Sequence, residues 1–346
     1  MSHKFPYKWY LKDGYPAKGI EYHGSKVFGT FICGGGSSMG YKLAGFEHLG
    51  GVEIDPKVAE VYRLNHKPKH LYVEDIRLFN QRKDLPEELY HLDLLDGSPP
   101  CSSFSMAGNR DKDWGKEKQF REGQAHQRLD DLVFEYVKTI KKLQPKVALL
   151  ENVKGLIQGN AKAYAKKINK EFTKAGYRVQ LFLLNAASMG VPQKRERVFF
   201  IGLRNDIDLP KLVLDFDESL ITFKQATNDI ENLFDENVTD SALKYWKTTL
   251  PGKSFSSSSF FNWIRLNEND AFPTIASACE KLHHPSVCRP LNLEEIKRGG
   301  TYPCDFVFAE IKGKYLIGMS VPPVMTAQIV HQIWLQWLSK IEKQTK

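Results

Sequence analysis

The sequence is short of the features that would place it in several large protein classes. It has five cysteines (Cys33, Cys101, Cys279, Cys288, Cys304) in 346 residues, few and odd in number. That argues against a disulfide framework and for free thiols in a reducing, cytoplasmic compartment. No stretch approaches the roughly 18–20 apolar residues of a membrane span, and no N-terminal segment joins a basic end to an apolar run. Neither a membrane protein nor a secretory signal is expected, and no internal repeat is present. The charges are unequal: 49 Lys and Arg against 41 Asp and Glu leave +8. This is a weak sign of a polyanionic partner, because Lys and Arg gain affinity by displacing counterions from phosphates. The hydrophobic content of 42% is ordinary and sufficient for one large or two modest domains.

Residues 26–33 read as a buried strand, followed by the glycine-rich stretch 34–40 and a short helix to Ala44. Residues 48–54 form a second strand and 56–65 a helix with Pro56 in its first turn. Further strands are expected at 70–73, 92–95, 147–150, 179–184 and 198–202, with helices near 129–143 and 161–175. Strands alternating with helices imply a parallel α/β sheet covered on both faces. The regularity stops near Arg204. Residues 206–240 are acidic, and 241–290 are irregular, with the serine run 256–259 and aromatics Tyr245, Trp246, Phe255, Phe260, Phe261 and Trp263. The expected organisation is an irregular arm (1–26), an α/β domain (27–204), a small second domain (205–288) and a return to the first (289–346).

Three features gather at the carboxyl edge of that sheet, where such folds bind ligands. Between the first strand and helix, Phe31-Ile-Cys-Gly34-Gly35-Gly36 would let the backbone approach a ligand closely. Glu53, ending the second strand with Ile54 behind it, can accept hydrogen bonds from a ribose. Asp75, with Ile76 after it, either meets an adenine amino group or caps the next helix. These fit an adenosine cofactor without separating a dinucleotide from S-adenosyl-methionine.

The fourth strand leads into Gly97-Ser98-Pro99-Pro100-Cys101. Proline fixes φ and keeps its predecessor extended, so the two prolines form a rigid lead-in that presents the Cys101 sulfur at a fixed angle. At the neighbouring strand tip, Glu151-Asn152-Val153 brings a carboxylate, and thiol and acid together make a covalent-catalysis pair. Gln193-Lys-Arg-Glu-Arg197 runs into the strand at 198–202, and Arg195 and Arg197 share one face of an extended segment.

In this order the segments resemble the cytosine-5 methyltransferase family, over about residues 27–330. Phe31 to Gly40 looks like its cofactor loop, Gly97 to Cys101 like its nucleophile motif, and the Glu151 and Gln193–Arg197 segments like two further catalytic motifs. Arg289-Pro-Leu and Glu294 through Arg298 to Tyr302-Pro303 resemble the segment supporting the recognition domain, and Gly318 to Pro323 the last motif. The sequence departs at Cys33, where the family usually has a glycine, at Gly299-Gly300, and at Met319, where asparagine is usual.

The resemblance implies a Rossmann-like S-adenosyl-methionine-dependent methyltransferase sheet with a small irregular target-recognition domain, within 205–288. It implies S-adenosyl-methionine bound by Phe31, Gly34, Gly35, Gly36, Glu53 and Ile54, with Asp75, Ile76, Pro99, Ser320 and Val321. Catalysis is implied for Cys101 as nucleophile, Glu151 at ring nitrogen 3, and Arg197 at the ring carbonyl with Arg195 supporting. The partner implied is double-stranded DNA, with a cognate restriction endonuclease, and the alternative substrate is transfer RNA, which one branch of the family modifies. The basic, glycine-containing segment 102–126 is expected to close over a flipped base, and Lys244, Lys247, Lys253 and Arg265 to meet DNA. Cys279, His283, His284 and Cys288 match no zinc finger well, and no metal is expected. A monomer is expected, since no apolar helical stripe is left over.

Overall fold

The computed structural model describes residues 4–100, 131–231, 240–255 and 263–344, with the short strands Glu117–Lys118 and Gln127–Arg128. Seven strands form the central sheet: β1 (Lys26–Thr30), β2 (Glu47–Glu53), β3 (His70–Val73), β4 (Leu94–Gly97), β5 (Val147–Val153), β6 (Tyr177–Asn185) and β7 (Glu196–Arg204). Helices α1 (Gly36–Leu43), α2 (Pro56–His66), α3 (Ile76–Gln81), α4 (Leu132–Leu143) and α5 (Lys162–Lys174) connect them. Local chemistry explains the starts. Asp55 caps α2 by accepting from Lys57 N and Val58 N, with Pro56 in the first turn, where its missing N–H costs nothing. Leu132, Val133, Tyr136, Val137, Ile140 and Leu143 recur at helical spacing and form the buried stripe of α4.

The sheet order is β3-β2-β1-β4-β5-β7-β6. The pairs β3–β2, β2–β1, β1–β4 and β4–β5 are parallel, whereas β7 runs antiparallel to both β5 and β6. The fully parallel sheet expected from the sequence is therefore corrected to a mixed one. A parallel crossover needs a dozen or more residues and usually a helix, and only a single 3₁₀ turn, Ala186–Met189, lies between β6 and β7. The chain accordingly turns back on itself and inserts β7 beside β5.

One face of the sheet is packed by α3, α4 and α5 through Phe79, Tyr136, Ile168 and Phe172. The other is packed by α1, α2 and the last third of the chain. There, α6 (Leu293–Gly299), α7 (Gly313–Met319) and α8 (Pro323–Ile333) return to the sheet, α6 opening with a reciprocal cap between Asn292 and Glu295. Between β7 and this return lie the helices Phe223–Thr227 and Asp240–Thr248 and a two-stranded parallel pair, Ile264–Arg265 with Leu282–His283. The N-terminal arm is held by the return segment: Phe5 and Trp9 are buried, and Trp9 Nε1 donates to Thr301 O at 2.9 Å.

Helices α1 and α8 meet at Gly40, where a Cβ would overlap Pro323 O and come within 2.5 Å of Thr326 Cβ. Gly40→Ala is expected to push the helices apart and cost about 1–3 kcal/mol, as overpacking does. The check is urea unfolding, with a lower midpoint and an unchanged slope.

Candidate active site

The register of β4 against β5 pairs Gly97 with Leu150, so Ser98-Pro99-Pro100 leaves the sheet beside Glu151-Asn152-Val153. Asn152 fastens the two tips. Its buried side chain donates from Nδ2 to Pro99 O at 3.2 Å, and its Oδ1 accepts from Val153 N at 2.9 Å. Cys101 and the segment 102–126 lie outside the described residues, apart from Glu117–Lys118.

Glu151 and Arg197 form an ion pair, Arg197 Nε to Glu151 Oε1 at 3.1 Å, with side chains 12% and 14% exposed for the acid and the base. The pairing follows from the sheet. Val153 lies opposite Arg197 and Glu151 opposite Phe199, so Glu151 and Arg197 are diagonal neighbours on one face. Burial pushes the Glu151 carboxyl up, against the opposing pull of Arg197 and Arg195. Its protonated form is thereby brought closer to neutral pH than an exposed glutamate's.

Arg195 shares that face but is spent elsewhere. At 2% exposure, it donates from Nη1 to Ile275 O at 2.7 Å and from Nη2 to Gly318 O at 3.1 Å. Gln193 makes parallel connections, donating to Gly299 O at 3.0 Å and accepting from Ile275 N at 3.0 Å. The lead-in to β7 is thus stitched to the return segment, and of the two arginines Arg197 alone pairs with the carboxylate.

At the other end of the edge, Phe31 (φ 56°), Cys33 (φ 50°) and Gly35 (φ 87°) are all left-handed. Side chains at the first two positions cost roughly 1 kcal/mol each, which explains why a glycine suits position 33. Glu53 holds the loop: one oxygen accepts from Cys33 N at 2.9 Å and the other from Asp55 N at 3.0 Å. Asp75 caps α3, accepting from Arg77 N at 2.8 Å, and pairs with the Arg77 guanidinium at 3.1 Å. Ile76 is buried and Ile54 half-buried beside these acids.

The glycines make room mainly for the chain itself. A Cβ on Gly34 would overlap Leu316, one on Gly35 would overlap the His66 ring, and one on Gly36 would fall 2.6 Å from Val321 O. Around these glycines the protein itself approaches closely, through α2, α7 and the Ser320-Val321 segment. Ser320 Oγ accepts from Tyr302 OH at 2.7 Å and donates to Leu316 O at 2.9 Å, which fixes that segment over the loop.

In the region of the aromatics, Trp263 stacks on His283 with centroids 4.5 Å apart, and the Arg265 guanidinium lies 3.9 Å over Trp246. His284 Nδ1 accepts from Ser286 N and Val287 N, both at 3.1 Å. Among the described residues no three His, Cys, Asp or Glu side chains gather as metal ligands, and no helix is long and apolar enough to cross a membrane.

The model of the C-5 cytosine-specific DNA methylase family matches residues 26–334. The chain belongs to this family. Among its relatives, the type II methyltransferase M.FnuDI of Fusobacterium nucleatum is 40% identical over 185 residues, 53% of this chain and 48% of that protein. The type II methyltransferase M1.HphI of Haemophilus parahaemolyticus is 27% identical over 337 residues, 88% of this chain and 85% of that one. The alignment with the first of these spans about half of that relative's length. A solved structure of an E. coli prophage protein, described as a DNA modification methyltransferase, shares the fold at a TM-score of 0.72 and 20% identity, covering 90% of this chain and 99% of that one.

Sequence reasoning passed over one acid of this methylase chain. Asp96 sits 4% exposed on β4, and burial, with Glu151 nearby, pushes its carboxyl up to about 7. The available signal was an acid inside the apolar run Leu94-Leu95-Asp96-Gly97.

Arg195→Ala is expected to cost at least about 3 kcal/mol, since it opens a cavity and strips two buried carbonyls of their donor. Chemical denaturation of wild type and variant measures it.

Proposed function

We propose that this chain methylates carbon 5 of cytosine in double-stranded DNA, using S-adenosyl-methionine. The observation that carries the reading is the Glu151–Arg197 pair at the tip of β5, beside a proline lead-in to Cys101 that Asn152 ties down. Carbon 5 of cytosine is a poor nucleophile. Addition of the Cys101 thiolate to carbon 6 moves an electron pair toward carbon 5 and makes the ring an enamine. Glu151, protonated, hydrogen-bonds ring nitrogen 3 and draws charge from carbon 6. Arg197 donates to the ring carbonyl, where negative charge develops. Carbon 5 then takes the methyl group, a base removes the carbon 5 proton, and the carbon–sulfur bond breaks to return the thiolate.

The bound cofactor supplies the methyl group on a sulfonium. The residues present suit it. Glu53 is a buried acceptor at the end of β2, and although both oxygens already accept a backbone N–H, each keeps a lone pair for a ribose hydroxyl. Phe31, half-buried in the loop after β1, offers apolar surface, and Asp75, whose capping role is met by one oxygen, keeps the other toward Arg77 and solvent. Ser320 and Val321 close the same edge.

A cytosine stacked in duplex DNA cannot reach such a pocket, so it is flipped out at a cost of a few kcal/mol. Within residues 205–288, the exposed side chains of Lys244, Lys247, Lys253 and Trp263 support DNA contact there. A monomer acting in the cytoplasm completes the proposal, and a cognate endonuclease beside it is in keeping with relatives named type II methyltransferases.

The test is transfer of tritium from labelled S-adenosyl-methionine to mixed-sequence duplex DNA or to total transfer RNA. Wild type is expected to label DNA, Cys101→Ser to abolish the signal, and Glu151→Gln to lower it by at least about 100-fold, as loss of a general acid does. Label confined to transfer RNA would overturn the DNA assignment.

A further inference from the structure

Asp96 is a buried titratable group that the chemistry above leaves unused. It lies on β4 directly before Gly97-Ser98-Pro99-Pro100, flanked in the sheet by Gly29 of β1 and Leu149 of β5. Parallel pairing with Leu149 puts the Asp96 side chain on the same face as Leu149, and therefore as Glu151 two residues further along β5. The two acids are thus offset by two residues on adjacent parallel strands, near enough for the Glu151 charge to act on Asp96. The carboxyl faces Tyr41 of α1, with Tyr62 of α2 also close enough to feel its charge. Tyr136 of α4 does so from the other face, its hydroxyl donating to Leu95 O and Leu149 O. The cations beside Glu151 are Arg197 and Arg195, and Asp96 feels its negative charge.

The two acids are therefore unequal. Glu151 has a guanidinium at 3.1 Å, whereas among the described residues Asp96 meets phenols and another carboxyl but no cation. Two buried like charges at this separation resist ionising together. We propose that Asp96 is a positioning residue for Glu151: the two carboxyl groups hold one proton between them at neutral pH, and that proton keeps Glu151 able to donate to the cytosine ring. This rests on the reading of Glu151 as the acid at ring nitrogen 3. When Arg197 turns to the ring carbonyl, Glu151 loses its counter-ion and the distribution of the shared proton moves toward it. Asp96 thus extends the pH range in which Glu151 is protonated, since a second ionisation beside a buried carboxylate is harder than the first.

The experiment is a titration of ¹³C-labelled Asp and Glu carboxyls by NMR in wild type, Asp96→Asn and Glu151→Gln, beside pH profiles of kcat. In Glu151→Gln the Asp96 midpoint is expected to fall by about one pH unit, because a neighbouring negative charge is gone. In Asp96→Asn, kcat is expected to stay within a few fold of wild type near pH 6 and to decline on the alkaline side from a lower pH. A stability role alone would scale the whole profile and leave its shape. An Asp96 midpoint unmoved by Glu151→Gln, or an Asp96→Asn profile parallel to wild type, overturns the proposal. Wild type with no methyl transfer to any nucleic acid would overturn the reading of the site instead, and the NMR titration would still decide the coupling.

Discussion

A guanidinium enclosed in protein must find fixed acceptors, and much of this molecule is arranged around the one at Arg195. Its acceptors, Ile275 O and Gly318 O, belong to segments 80 and 123 residues further along the chain. Supplying them brings the region before α6 and the end of α7 against the lead-in to β7. Because β7 is hydrogen-bonded on both sides, to β5 and β6, the position of Arg197 two residues on is set by the same contacts. The Glu151–Arg197 pair is a product of that framework, and a charge pair held this way loses little entropy when it forms.

The sheet edge at β1–β3 obeys a similar logic. The loop after β1 takes up left-handed conformations at Phe31 and Cys33 that isolated residues avoid, and the cost is offset by Glu53, which fixes Cys33 N, and by the return segment, which fills the space above Gly34 and Gly36. Residues at opposite ends of the chain therefore build one surface. The groups at β1–β3 and those at β4, β5 and β7 stand at two ends of a single sheet edge.

Much of this was legible in the sequence, and the exceptions have physical causes. The strands from β1 to β5 were readable because buried strands are apolar runs bounded by turn residues. The direction of β7 was not, since an apolar run looks alike in either direction, and the clue was the lack of a helix between β6 and β7. Glycines 34–36 could be seen to need space, but composition does not say whether a ligand or Leu316 occupies it. Asp75 was open between a cap and a ligand contact, and the cap is what the backbone takes up. Arg195 and Arg197 are chemically identical, and only carbonyls far along the chain divide their duties. Asp96 was visible as an acid in an apolar run, but its relation to Glu151 required the register of β4 against β5.

The crossing of α1 with α8 bears on how the protein is made. During synthesis β1, α1 and β2 emerge early, with Met39, Tyr41 and Leu43 ready to be covered. Their cover includes Val324, Ala327 and neighbouring residues of α8, which leave the ribosome hundreds of residues later. Until then the first layer of the nascent chain carries an open apolar face, the kind of surface that chaperones bind and that invites association between unfinished chains.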